Sequence, residues 1–138
     1  MTKILCAVDD TEHSKPAIDL AAKLALALKG DLTVATVNQL IGGYGRGGAA
    51  TLFWTENELQ NVLQKAAAEA KSAGIANVKA VSIESRDLAL AITDYAREGN
   101  FDHIVVGTGG KSAVSRMMLG SVSRDVVHLA HCPVTVAR

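Results

Sequence analysis

The chain lacks net charge: its 14 Lys and Arg side chains are cancelled by 14 Asp and Glu. Loose attachment to DNA, RNA or an acidic membrane is driven by excess positive charge, so a balanced chain carries no overall footprint for those partners. Cysteine is almost absent. Cys6 and Cys132 stand far apart, with no CxxC or zinc-ligand spacing, and both fall in apolar strand patterns where a reduced, buried thiol is expected. Long apolar runs are missing too. The Leu/Ala-rich stretch 17–28 is broken by Asp19 and Lys23, and no charged-then-apolar leader precedes the first strand. These absences lead to the expectation of a soluble, cytoplasmic protein with neither a nucleic-acid nor a membrane partner.

What is present suits one folded unit. At 138 residues, 49% of them apolar, the chain fits a single domain over 1–138 that buries roughly two-thirds of its unfolded surface. Ile4–Val8 is a continuous apolar run of the parallel-strand type, ended by Asp9-Asp10-Thr11. Ser14 is expected as an N-cap with Pro16 in the first turn of a helix reaching Leu28. Ile18, Ala21, Ala25 and Leu28 form its inward stripe, and Gly30 ends it. Leu32–Val37 reads as strand two. The stretch 41–50 follows, with five glycines in ten residues. Gly43, Gly45 and Gly48 formally satisfy GxGxxG, but no helix follows directly, so a mobile surface loop is expected, with a lid carrying Arg46 as the functional alternative. Thr55-x-x-Glu58 is a capping box opening helix two, whose buried side runs from Leu59 to Ala73. Strand three spans about Val78–Ile83. Helix three turns Leu88, Ala91, Ile92 and Tyr95 inward and stops at Gly99. Strand four is Ile104–Val106, helix four runs from about Ser121 to Ala130, and strand five is Pro133–Val136. Five strands alternating with four helices imply an α/β fold with a parallel sheet covered on both faces. Periodicity leaves several strand orders open.

The most informative stretch is 102–123, DHIVVGTGGKSAVSRMMLGSVS. Glycines at a strand end admit close approach by backbone amides, and a helix start adds unpaired N–H groups and about half a positive charge. Together they suit a polyphosphate. The pattern G-x-x-G, nine residues, G-[ST], carried by Gly107, Gly110, Gly120 and Ser121, resembles the nucleotide signature of the universal stress protein family. KILCAVDDTEHSKPAIDLAAKLA resembles the family's opening strand, acidic turn and first helix, and GSVSRDVVHLAHCPVTVAR its last helix and closing strand. Only about 38–60 lacks a clear counterpart. The resemblance, to the single-domain ATP-binding subgroup, implies a doubly wound five-stranded parallel sheet of order 3-2-1-4-5, of the adenine nucleotide alpha hydrolase-like kind. It also implies ATP, ADP or AMP, with or without Mg²⁺, at the carboxyl ends of strands one and four. The residues expected at that site are Ala7, Asp9, Val37, Val106, Gly107, Gly110, Gly120, Ser121, Val122 and Ser123. Pairing of strand five, Val134–Val136, with its copy would make a homodimer.

Each candidate has an ordinary reading beside the functional one. Asp9 suits a ribose hydroxyl or a divalent cation, or simply a strand-to-helix turn; Asp10 stands where the family often has glycine. Ser121 and Ser123 suit phosphate, although a serine N-cap needs no ligand. The Val37 backbone suits adenine; as an ordinary strand residue it belongs to the core. Lys111 and Arg116 are charges for a triphosphate or a solvated loop. Gly110-Lys111-Ser112 lacks the glycine that a Walker A loop needs five positions earlier, where Val105 stands. A phosphorylated receiver domain would need an aspartate ending strand three and a lysine ending strand five; the chain has neither. His128 and His131 have a minimal metal spacing without an evident third ligand, and no catalytic triad can be argued. The expectation is a nucleotide-dependent switch acting on an unidentified protein partner, with no catalytic residue assigned. A slow ATP hydrolase and a nucleotide-independent interaction dimer are the alternatives.

Overall fold

The computed structural model describes residues 1–108 and 121–138. The chain runs β1 (Lys3–Ala7), α1 (Ser14–Leu28), β2 (Asp31–Gly42), β3 (Ala50–Leu52), α2 (Glu56–Ser72), β4 (Val78–Ser85), α3 (Leu88–Glu98), β5 (His103–Gly107), α4 (Ser121–Leu129) and β6 (Val134–Ala137). Five strands form a parallel sheet in the order β4-β2-β1-β5-β6. That is the expected 3-2-1-4-5 winding with one addition: β3 pairs antiparallel with the far end of β2, Leu40 opposite Leu52 and Gly42 opposite Ala50.

Alternation along the strands divides the core in two. Ile4, Cys6, Leu32, Val34 and Val105 pack with α1 and α2, through Ala17, Ile18, Ala21, Ala66 and Ala70. Leu5, Ala7, Ala35, Val37, Ile104 and Val106 pack with α3 and α4, through Ala89, Ile92, Val122 and Val126. Both thiols are free; burial pushes Cys6 far above the ordinary thiol range and raises Cys132 as well. Among the described residues no helix is long and apolar enough to cross a membrane.

Several local expectations are corrected. Strand two does not stop at Val37 but continues to Gly42; the glycine-rich stretch lies at the surface as expected, but as the turn of a hairpin closed by β3. Gly42, Gly43, Gly45 and Gly47 all adopt positive φ, between 74° and 88°, a region where a Cβ is strained. Ser14 is not the N-cap of α1: His13 holds that position without a side-chain cap, while the Ser14 hydroxyl turns back to Asp9. Leu28 lies on the exposed side of α1, not in its buried stripe. At the end of α1 the left-handed residue is Lys29 (φ 52°), not Gly30. Glycine follows because a Cβ there would lie 2.5 Å from the Thr2 carbonyl oxygen. The capping box is formed as expected, with the Thr55 hydroxyl accepting from Glu58 N–H and the Glu58 carboxylate from Thr55 N–H.

Candidate functional site

The winding reverses between β1 and β5. From β1 the chain moves outward through β2 to β4, then crosses back to β5 and β6. The loops leaving neighbouring strands at such a reversal point apart, and the crevice between them, at the carboxyl ends, is where open α/β sheets hold ligands. Ala7 ends β1 and is buried; Val106 and Gly107 end β5 and are buried. Ser121, Val122 and Ser123 form the first turn of α4, with Val122 and Ser123 buried. Gly110 and Gly120, with Lys111 and Arg116, lie outside the described residues.

Asp9 stands at the centre of this end of the sheet. Its Oδ1 accepts three hydrogen bonds, from Thr11 N–H (2.9 Å), Thr11 Oγ1 (2.6 Å) and Ser14 Oγ (2.9 Å). The Asp9 N–H in turn donates to Ser14 Oγ at 2.8 Å. One carboxylate oxygen thus shapes the turn. The other, Oδ2, is buried and has no hydrogen-bond partner among the described residues. A buried carboxylate oxygen without a donor is costly, on the order of 1–3 kcal/mol or more. It is the kind of atom that a ligand hydroxyl or cation would satisfy.

Beside Asp9 a cleft opens into the α3/α4 side of the core. Ala7, Val8, Ala35, Thr36, Val37, Trp54, Leu88, Ile92 and Val122 line it together with Asp9. Its walls are largely apolar, with strand backbone at one margin. Pairing of β1 with β2 ends at Ala7 opposite Ala35, and Val8 N–H closes it on the Ala35 carbonyl at 2.8 Å. Along an extended strand the N–H and C=O of one residue face the same edge and switch edge at the next. Val37, two residues on, therefore turns its backbone toward the β1 side, past the point where β1 has ended. Thr36, of opposite parity, reaches back by its side chain, donating from Oγ1 to the Val8 carbonyl at 2.8 Å.

Gly107 has a structural duty here. A Cβ on it would meet the His13 carbonyl oxygen at 2.7 Å, so what its bareness admits is the start of α1. His128 and His131 are exposed, and among the described residues no three His, Cys, Asp or Glu side chains gather as metal ligands. A larger cleft of about 690 Å³ opens at the amino ends of the strands, lined by Lys3, Asp31, Lys79, Tyr95 and Glu98 among others. It lies away from the winding reversal, and size alone does not make it the site.

Trp54, Leu88 and Ile92 were not among the residues the sequence suggested for this cleft. Leu88 and Ile92 are core positions of α3 and give no separate signal. Trp54 does: it precedes the Thr55 cap and packs with Leu59, the hydrophobic staple that accompanies a capping box.

A model of the universal stress protein family matches residues 1–138. The chain belongs to that family. Universal stress protein YxiE of Bacillus subtilis is 30% identical over 148 residues, covering 99% of this chain and 98% of that protein. Among solved structures, a universal stress protein in complex with cAMP superposes with TM-score 0.76 at 22% identity, over 99% of this chain and 97% of the other. The universal stress protein from Archaeoglobus fulgidus in complex with dAMP gives 0.73 at 23% identity, over 100% and 98%. At that identity these two likenesses establish the fold that this universal stress protein shares with them.

Proposed function

We propose that this universal stress protein binds an adenine nucleotide, ATP or its di- or monophosphate, at the carboxyl ends of β1 and β5 and acts as a nucleotide-dependent switch. The observation that carries the reading is the buried Oδ2 of Asp9, without a partner among the described residues, beside an apolar cleft at the winding reversal. A ribose hydroxyl donating to Oδ2 satisfies it. The base packs at the mouth of this small apolar cleft, about 30 Å³ in volume, where the Val37 N–H and C=O supply one donor and one acceptor, matching the N1 and 6-amino group of adenine. Phosphates follow toward Gly107, Gly110, Gly120 and the first turn of α4, where Ser121 and Ser123 add hydroxyls to helix-start amides. Mg²⁺, where present, would accompany the phosphates and neutralise their charge. Complexes of two structural neighbours with cAMP and dAMP support the ligand class. Binding alters the surface around the site, and a protein partner reads the altered surface.

Titration calorimetry with ATP tests this. Wild-type protein is expected to bind, and Asp9→Asn, which keeps the Oδ1 acceptor but removes the charge, to bind about tenfold or more weakly. Wild-type protein that gives no heat at millimolar ATP, and purifies without nucleotide by mass spectrometry, would end the proposal.

A further inference from the structure

Trp54 occupies an unusual position between two parts of the molecule. On one side it packs in a small cluster with Leu59, Val62 and Leu63 of α2, separate from both main cores. On the other it lines the apolar cleft with Val37, Ile92 and Val122. Only 5% of it is exposed. Its backbone is fixed twice by one side chain: Trp54 N–H donates to Asn38 Oδ1 at 2.9 Å, and Asn38 Nδ2 donates to the Trp54 carbonyl at 3.1 Å. Asn38 is itself buried in β2, next to Val37. The Phe53 ring meets the indole edge-on, with centroids 5.4 Å apart. Trp54 thus lines the cleft from a backbone position that the Asn38 side chain fixes at both its N–H and its carbonyl.

We infer that Trp54 is a base-contacting, specificity-determining residue: its indole forms the aromatic wall against which the nucleobase packs, and Asn38 positions it. This rests on the nucleotide reading above. An aromatic face opposite apolar side chains holds a flat heterocycle by stacking and excludes water from its π-surface, which contributes to affinity for the base and nothing for the phosphates. Asn38 couples the wall to Val37, so the backbone donor–acceptor pair and the aromatic surface are set by adjacent residues of one strand. Trp54 thereby makes the cleft selective for a nucleotide over a bare polyphosphate.

The test compares ATP with inorganic tripolyphosphate, which shares the phosphates and has no base. Calorimetric affinities are measured for wild type, Trp54→Ala and Trp54→Phe. Trp54→Ala is expected to weaken ATP by about five- to 100-fold and leave tripolyphosphate within twofold. Trp54→Phe, which keeps a ring, should lie within about threefold of wild type for ATP and controls for loss of packing against α2. Trp54 is the sole tryptophan, so its fluorescence should also change on ATP addition and not on tripolyphosphate. Equal loss for both ligands, unchanged ATP affinity, or a silent indole at saturating ATP would overturn the inference while nucleotide binding stands. Wild-type protein indifferent to ATP would overturn the nucleotide reading and this inference with it.

Discussion

At the scale of single residues, Asp9 and Gly107 illustrate how a sequence position can be found for one reason and held for another. The glycine pattern drew attention to Gly107 as a place where a ligand meets bare backbone. The structure gives it a second occupant, the His13 carbonyl, which a Cβ would approach to 2.7 Å. Because that neighbour is backbone at the start of α1, relief requires moving the helix relative to β5. Gly107→Ala is therefore expected to cost about 1–3 kcal/mol of stability, read as a lower urea midpoint at unchanged m-value. A midpoint equal to wild type would show that the helix start yields freely. The acidic turn was legible because two aspartates end an apolar run. The division of labour within Asp9, one oxygen accepting three bonds and the other none from the described residues, was not, since it depends on where Thr11 and Ser14 aim their donors.

At the scale of elements, helices and central strands were readable because their periodicity and caps are local. The hairpin of β2 and β3 was not. Glycine density signals a chain free to adopt many shapes, and what removes that freedom here comes from distant sequence. Arg86, 44 residues beyond Gly42, donates from Nη1 to the Gly42 carbonyl at 2.7 Å and covers the Tyr44 ring at 4.8 Å. Gln39 adds a bond from Nε2 to the Arg86 carbonyl at 3.2 Å. Exposed contacts of this kind are individually weak, so the hairpin should open locally at a small fraction of the global unfolding free energy. Arg86→Ala is expected to speed limited proteolysis between residues 42 and 50 several-fold, with the thermal midpoint nearly unchanged. Cleavage at the wild-type rate would mean that the glycine turn and the short β3 ladder hold the hairpin unaided.

At the scale of the whole molecule, alternating strands and helices established a covered parallel sheet, but not the strand order; right-handed crossovers permit several, and the resemblance to a known family chose among them. That order leaves β6 as an outer strand among the described residues, and its register shows which groups turn away from β5. Ile104 N–H donates to the Pro133 carbonyl and Thr108 N–H to the Ala137 carbonyl, so residues 133, 135 and 137 face β5. Val134 and Val136, of opposite parity, direct their N–H and C=O outward. An outward row of this kind is a template for a second strand, and we propose that a copy of the same chain pairs there. Proline tests the geometry residue by residue, because it removes one N–H and blocks one rung. Val136→Pro should convert a dimer, in sedimentation equilibrium, to a monomer with the far-ultraviolet spectrum of the native fold. Thr135→Pro removes an inward rung instead and should lower the thermal midpoint. A wild-type monomer at tens of micromolar, or a Val136→Pro dimer as tight as wild type, would place any self-association on another surface.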